Sequence, residues 1–580
     1  MKIFVTGATG FVGANIARKL LMEGHEVHVL MRESSNSWRL GEVMSKLVCH
    51  KEDLSNVEGM RAVLKEVQPE IIIHTAVYGG LPNQTDTNAI VQTNIIGTKN
   101  LLEASKDIPY RLLINTGSSS EYGKKTAPMK ENDVLEPTTE YGISKASATH
   151  YCAFFAKKYG KPIITLRLFS PYGSFEERNR LVSYCTLNIL ENKNIQIGNL
   201  NSARDFIFIG DVVDAYIFFM NNFDQKFSGE VFNIGSGEQH TVGDVLEKLF
   251  SVSGKILKVS SDESKQRVYD SSMWVADISK VRCLGWSPKY SFYEGMKKNF
   301  EWFQNNSEIY TKNEIAELEN RAKEMKLEIA KILEKTYGSH IGGDYSVLDI
   351  LNTLYFKIMN VDEKDPNKKN RDRLILSKGH NALALYSVLC KKGFFKKEYL
   401  LSYCQNGSCF EGHVNSHVPG VEVSTGSLGH GLAVGIGIAI ANKNDKNPGR
   451  IFIILGDGEC NEGSIWEAAI LASRLKLDNL TVIVDSNKFQ GIDSCEEVYG
   501  KNNLAKMWET FGFEVREIDG HNYSEIINTF SNIPFKEEKP SLVFANTIKG
   551  KGVSFMENKL EWHYKSPNKE QLKIIEEELK

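Results

Sequence analysis

Tyr141 and Lys145 stand four residues apart in Tyr-Gly-Ile-Ser-Lys. On a helix that spacing puts both on one face. The ammonium there favours the phenolate and lowers the tyrosine pKa, as general acid–base work near neutrality requires. Upstream, Ser118 opens Ser-Ser-Ser-Glu-Tyr-Gly and offers a hydroxyl to polarise a carbonyl. Gly7, Gly10 and Gly13, with Phe11 and Val12 before the last, lie between an apolar run and a helical pattern. Small residues let a backbone approach a pyrophosphate, whose charge a helix N-terminus favours. A plain tight turn is the competing reading of these glycines. The next apolar run ends Leu30-Met31-Arg32, followed by Ser34 and Ser35. NAD calls for a ribose-binding carboxylate at this point, whereas a neutral Met31 and a cationic Arg32 suit the 2′-phosphate of NADP. A solvated Arg32 is the alternative.

A second chemical set lies far downstream. An apolar run enters Gly456-Asp457-Gly458, and the next one ends Asp485-Ser486-Asn487. The offset 487 − 457 = 30 is one strand–helix–strand crossover. Both side chains then sit at the carboxyl edge of adjacent parallel strands, where ligands collect in open α/β sheets. Hard divalent cations such as Mg²⁺ want oxygen donors in near-octahedral geometry. Asp457, the Asn487 amide oxygen, the Phe489 carbonyl and two diphosphate oxygens would nearly complete such a shell.

The elements that must carry these residues follow from apolar runs separated by amphipathic helices. Ile3–Val5, Glu26–Leu30, Ile71–Ile73 and Leu112–Ile114 are short strands, so residues 1–303 read as a doubly wound parallel sheet. The polar text of residues 304–314 (QNNSEIYTKN and the residue after it) reads as a linker. Ile315, Leu318, Ala322, Met325, Ile329 and Ile332 then recur at helical spacing. A second α/β pattern occupies residues 315–580, with strands at Ile451–Leu455 and Leu480–Val484. The halves share no motif, which points to a fusion of two unrelated enzymes.

Composition narrows the classes. At 580 residues the chain needs at least two cores. A formal net charge of -3 gives no reason to expect a nucleic-acid partner or an attraction to membranes. No uncharged apolar run approaches the ~20 residues of a membrane helix. MKIFVTGATG enters a strand at once, so no signal peptide is expected. Nine scattered Cys without a CxxC pair suit free thiols in a reducing cytoplasm.

The first half resembles the extended short-chain dehydrogenase/reductase family of nucleotide-sugar epimerases, dehydratases and reductases. TGATGFVG, IIIHTA, NIIGTKNLLEA, GSSSEYG, YGISK, LRLFSPYG, RDFIFIGDVVDAY, FNIGSGE and CLGWSPK carry the resemblance. It implies a Rossmann-type sheet with a small nucleotide-sugar part from about residue 170. Ser118, Tyr141 and Lys145 would be catalytic, with Asn94 supporting the lysine and Asp53 near the adenine. Arg204 and Arg267 would contact the nucleotide diphosphate, which fits the pairing of guanidinium with phosphate, and Asp270 would hold the ribose. The bland reading of Arg204 is an ion pair with Asp205. Family dehydratases carry Thr-Asp-Glu where this chain has Ser118-Ser119-Ser120, which argues against dehydration. Ser170 also replaces a common Asn. A 4-ketoreductase or a 4-epimerase remains, and exchangeable NADPH favours the reductase.

The second half resembles the thiamine diphosphate-binding N-terminal half of transketolase through SHIGG, LILSKGH, FEGH, VEVSTGSLGHG, GDGECNEGSIWEA, VDSNKFQG and KGKGVSFMEN. That likeness implies that His340, His380, His413 and His563 line the ketose and cofactor channel. Gly426, Leu428, Gly456 and Gly458 would contact the cofactor, and Glu462 would sit where a partner domain docks. His430 replaces a family Gln and reads as a loop residue. Thiamine chemistry needs a carboxylate against the aminopyrimidine ring, which transketolases take from a following domain. Only 580 − 458 = 122 residues follow Gly458, so a separate partner chain is expected, in a homodimer or a heterotetramer. The combined expectation is a bifunctional sugar enzyme that reduces a 4-keto nucleotide sugar and moves a two-carbon ketol unit from a ketose phosphate, for a branched sugar. A 4-epimerase fused to a transketolase half serving pentose phosphates is the alternative, and a non-catalytic docking half is a third.

Overall fold

The computed structural model describes residues 1–81, 84–261, 271–338, 340–500 and 503–580. The chain divides into two compact units, Met1–Tyr310 and Thr311–Lys580.

In the first unit the strands are β1 (Lys2–Thr6), β2 (Glu26–Met31), β3 (Val48–Lys51), β4 (Ile71–His74), β5 (Leu112–Ser118), β6 (Ile163–Leu168) and β7 (Val231–Ile234). They form a seven-stranded sheet in the order β7-β6-β5-β4-β1-β2-β3. Every neighbouring pair is parallel. Near-continuous apolar strands suit this sheet because both its faces are covered. Ile3, Val5, Ile71 and Ile73 enter one core, while Phe4, Ile72 and Leu113 enter another. Strand order reverses at β1, which pairs β2 on one side and β4 on the other. A crevice opens at the carboxyl ends of strands at such a switch. A separate apolar cluster uses residues beyond 170, including Tyr172, Val182, Phe206, Val245 and Met296.

The polar segment 304–314 is helical rather than a loop, and the division between the two units, after Tyr310, falls inside it. One helix runs from Phe292 to Thr336. Polarity here marks only the exposed positions of that helix. Phe303 and Tyr310 recur at i, i+7 and are buried. The Tyr310 hydroxyl donates to the Glu176 carbonyl at 2.7 Å, and its ring lies against Trp38.

The second unit has β8 (Arg373–Leu376), β9 (Ile451–Gly456), β10 (Leu480–Ser486), β11 (Glu514–Asp519) and β12 (Ser541–Asn546). Their order is β8-β9-β10-β12-β11, again all parallel. Phe452, Ile454 and Ile483 fill one core, and Ile451, Ile453, Leu455 and Val484 fill the other. Among the described residues no helix is long and apolar enough to cross a membrane.

Candidate functional site

In the first unit the chemistry-bearing residues gather at the carboxyl ends of β1, β4 and β5. The loop after β1 is tight by necessity. Gly7 has φ +74°, and a Cβ there would meet the Ala76 nitrogen at 2.4 Å. A Cβ at Gly13 would meet the Gly7 carbonyl oxygen at 2.3 Å. The helix Phe11–Met22 can therefore start directly on the loop, with Gly10 as its N-cap and Phe11 and Val12 partly buried in its first turn. Behind the loop, His74 bridges Thr6 at 2.6 Å and Thr98 at 3.0 Å. Burial, with the charge of Lys145, lowers its pKa to about 3, so it is neutral.

Ser118 ends β5, and its hydroxyl accepts the Ser120 N–H at 3.2 Å and lies close enough to Tyr141 to lower its pKa. Tyr141 lies in the first turn of the helix Glu140–Tyr159, which Thr139 caps. Lys145 follows one turn on and is buried. The expected effect of Lys145 on Tyr141 is not what the structure gives. Burial raises the Tyr141 pKa, and the groups opposing it are the Ser118 hydroxyl and the Arg180 guanidinium. Burial also lowers the Lys145 pKa, against the field of Glu121. Desolvation outweighs charge at both groups because neither faces bulk water. Asn94 sits in a π-helical turn, Val91–Ile96. Its amide bonds both backbone groups of Tyr78 and the Ser144 hydroxyl, so it meets the helix Glu140–Tyr159 one residue before Lys145.

Arg32 is exposed just past β2. Asp53 lies within reach of its field. Burial pushes the Asp53 carboxyl up, but the Ser55 N–H and hydroxyl, with Arg32, leave it below its ordinary value. Arg204 donates to the Ala203 carbonyl at 2.7 Å and lies over the Trp274 ring. The Asp205 carboxylate accepts instead from Ser236, Gly237 and Ala276. Arg267 and Asp270 lie outside the described residues.

In the second unit the four histidines converge. The His340 ring lies 5.0 Å from His380, 6.4 Å from His413 and 5.6 Å from His563, and His380 is 5.7 Å from His563. Burial lowers the His340 pKa to about 4 and that of His563 to about 3, helped by the charges of Lys549 and Lys378. His380 is lowered for the same reasons. These rings are therefore neutral near pH 7, each with one N–H donor and one acceptor nitrogen. His340 adopts φ +77°, a left-handed conformation held by the Asn381 amide on its carbonyl at 3.2 Å. Gly426, with φ +158°, leaves only 3.0 Å between an added Cβ and the His413 ring. Leu428 is half-buried on the same loop, while His430 is exposed and bonds the Leu428 carbonyl.

Asp457 and Asn487 follow adjacent strands, since Gly456 pairs with Asp485 across β9 and β10. Asp457 accepts the N–H groups of Gly458 at 2.8 Å and Lys488 at 2.7 Å. Burial and the neighbouring Asp485 raise its pKa, as befits a carboxylate short of positive charge. Asn487 accepts the Phe489 N–H through its amide oxygen at 3.2 Å. Glu462 stands exposed before the helix Gly463–Arg474.

Two segments of the chain match known families. Residues 3–235 match the NAD dependent epimerase/dehydratase family, and residues 318–579 match the transketolase thiamine diphosphate binding domain. Over 258 residues the chain is 42% identical to an apulose-4-phosphate transketolase subunit from Phocaeicola vulgatus, covering 44% of this chain and 92% of that protein. The chain belongs to the transketolase family. Its first unit is an epimerase/dehydratase-family domain, so the protein is a fusion of the two. Against Homo sapiens transketolase the identity is 36% over 235 residues, 40% of this chain but 37% of that protein. The structure of epimerase Mth375 from Methanothermobacter thermautotrophicus covers 54% of this chain and 94% of its own at a TM-score of 0.50 and 24% identity, which shows the fold of the first unit.

The transketolase-type unit also uses residues that sequence reasoning passed over. Lys378, one residue past the end of LILS, forms a buried ion pair with Asp485 at 2.5 Å. Burial pushes the Asp485 carboxyl up, yet Lys378 and the hydroxyls of Ser346 and Thr547 leave it below its usual value. Lys549 lies 2.9 Å from the His563 ring nitrogen, and burial with the charge of Lys378 lowers its pKa to about 8. Both lysines stand inside the motifs quoted above, but nothing in their spacing marks them as buried. Among the described residues no group of three His, Cys, Asp or Glu could hold a metal. The donors at Asp457, Asn487 and Phe489 are all oxygens, one of them a buried carboxylate without an ion-pair partner among the described residues. That set fits Mg²⁺ once diphosphate oxygens complete the shell.

Proposed function

We propose that the first unit is an NADPH-dependent nucleotide-sugar 4-ketoreductase. The second unit is proposed as the diphosphate-binding half of a two-carbon ketol transferase, joined to it for branched-sugar synthesis. The observation that carries this reading is the convergence of two separate chemical sets. Ser118 lies close enough to lower the Tyr141 pKa, at the same sheet edge as the glycine loop. The four histidines gather in the other unit, whose Asp457 and Asn487 follow adjacent strands.

In the reductase, the Ser118 hydroxyl orients the keto oxygen and Tyr141 delivers a proton to it. Bound nicotinamide supplies the hydride. Exposed Arg32 receives the 2′-phosphate, which supports NADPH over NADH. Arg204, whose neighbour Asp205 is engaged elsewhere, takes the diphosphate together with Arg267, and Asp270 takes the ribose. Dehydration finds no support at positions 118–120, which are all serine. The Ser119 hydroxyl accepts the Trp274 indole N–H at 3.0 Å, and Glu121 is tied to Arg167 at 2.8 Å.

In the transferase, Asp457, Asn487 and the Phe489 carbonyl hold Mg²⁺, and Gly426, Leu428, Gly456 and Gly458 hold thiamine diphosphate. Bound thiamine diphosphate supplies the carbon that carries the ketol unit. His340, His380, His413 and His563 hold and move protons at the ketose hydroxyls. The acid facing the aminopyrimidine ring comes from a second chain, a reading supported by the Phocaeicola relative, which is itself named as one subunit of a transketolase. That chain docks near Glu462, beside the exposed apolar side chains Val434, Ile470, Leu471 and Leu475. Two copies of each chain build two sites in a heterotetramer working in the cytoplasm.

The test is to incubate the full chain with 4-keto nucleotide sugars and NADPH, and separately with a ketose phosphate and an acceptor. Each incubation is run with and without the candidate partner, and the products are mass-analysed. Reduction without the partner and ketol transfer only with it are expected. Full-rate ketol transfer by the chain alone would overturn the half-enzyme reading.

A further inference from the structure

His521 follows β11 in the second unit, and its side chain is only 8% exposed. Its two ring nitrogens bond two different segments of the chain. Nδ1 lies 2.7 Å from the Asp349 carboxylate. Nε2 accepts the Ile548 backbone N–H at 2.9 Å. A backbone N–H can only donate, so Nε2 carries the lone pair and the ring proton sits on Nδ1, donated to Asp349. The two bonds together fix one tautomer of the ring.

Each end of this bridge leads to residues of the second site. Asp349 lies on the helix Ile341–Thr353, whose N-cap is His340. Its other oxygen accepts the Tyr523 hydroxyl at 3.0 Å and pairs with Lys326 at 3.4 Å. Burial opposes the charge of this carboxylate, but Lys326, His521 and Tyr523 hold its pKa at about 2, so it stays an anion. At the other end, Ile548 stands between Thr547 and Lys549. The Thr547 hydroxyl donates to Asp485, the partner of Lys378. The Lys549 side chain is buried 2.9 Å from the His563 ring nitrogen. Residues 547–550 belong to no strand or helix, so the Ile548 N–H has no ladder bond and is held by His521.

We propose that His521 is a positioning residue of the ketol-transfer site, which sets Lys549 against His563 by holding the Ile548 N–H from an anchor on Asp349. This rests on the transferase reading of the second unit. His521 acts through the backbone and touches neither substrate nor cofactor. The role demands an acceptor at the place of Nε2, which separates it from simple filling of the core.

The test compares His521→Gln with His521→Asn in the full chain, assayed with the partner. Gln reaches far enough to put its amide oxygen near the place of Nε2 and still accept from Ile548. Asn reaches only to the place of Nδ1 and leaves that N–H without its acceptor. Hydrogen exchange of the Ile548 amide, followed by mass spectrometry, should quicken about tenfold in His521→Asn, the scale of one lost hydrogen bond. Its kcat for ketol transfer from a ketose phosphate should fall about 10–10²-fold, as misplaced reactive groups lose rate. His521→Gln should recover most of both. Native exchange and native kcat in His521→Asn would overturn the inference. So would equal losses of kcat in the two variants that track their melting temperatures, the result expected if the ring only fills the core. Absence of ketol transfer in the native chain with its partner would instead sink the transferase reading, and the inference with it.

Discussion

The two units use the same architectural device and load it with opposite chemistry. Each places its reactive groups at the carboxyl edge of a parallel sheet. In the first, a tyrosine, a lysine and a serine come from one strand end and one helix turn, at the same sheet edge as a loop whose Gly7 and Gly13 leave no room for a Cβ. In the second, the groups come from the far ends of β8, β9, β10 and β12 and from the segments around His340 and His413. The first site depends on local spacing and the second on the sheet bringing distant loops together. Burial also acts differently. It raises the Tyr141 pKa and so keeps the phenol protonated, which suits the proposed role as proton donor. It holds His340, His380 and His563 neutral, so that they can accept protons as well as give them.

If the two sites are independent, substitutions should separate cleanly. The largest effect is expected for Asp457→Ala, which removes the carboxylate proposed to hold Mg²⁺. Ketol transfer in the presence of the partner should vanish while NADPH oxidation stays at its native rate. Loss of both activities would show that the comparison of two separate sites is wrong. Tyr141→Phe keeps the ring and removes the proton donor. Hydride transfer, followed by the absorbance of NADPH, should fall about 10²–10⁴-fold, with thiamine diphosphate binding unchanged. Near-native turnover would take Tyr141 out of the mechanism.

Smaller effects sharpen the contrast. Arg32→Ala should weaken NADPH relative to NADH by roughly 1–3 kcal/mol, the scale of a lost charge-assisted contact. Equal native affinity for the two cofactors would remove the basis for preferring NADPH. Stability should also respond to acid through the histidine cluster. His340 and His563 have pKa values of about 4 and 3 against 6.5 when unfolded. A depressed pKa gives stability that is complete above pH 6.5 and lost as pH falls towards 4 and 3. Thermal unfolding of the second unit should therefore soften over that window. The slope should be shallower in His563→Gln, and an unchanged slope would mean that the cluster is hydrated and free to protonate.

Much of this was legible in the residues themselves. Both parallel sheets followed from apolar runs spaced by helices, and Tyr141 with Lys145 followed from i, i+4 spacing. Asp457 and Asn487 followed from the length of a single crossover. Such signals are local, and local geometry is nearly fully specified by side-chain period and backbone allowance. The polar segment 304–314 holds the division between the units but is helical, because polarity alone does not separate a loop from the exposed side of a helix. Its helical reading needed Phe303 and Tyr310 to be seen as one buried stripe. Tertiary structure alone decided which charges meet. Nothing in the spacing of Lys378 and Asp485, 107 residues apart, announces a buried ion pair. Nor does the sequence say that the Arg180 guanidinium would donate to the Gly80 carbonyl, 100 residues away. These contacts depend on how loops from separate strands converge and on how much water they exclude. Desolvation is a property of the packed whole, and it turned the Tyr141 pKa up and the Lys145 pKa down, against the simple pairwise expectation.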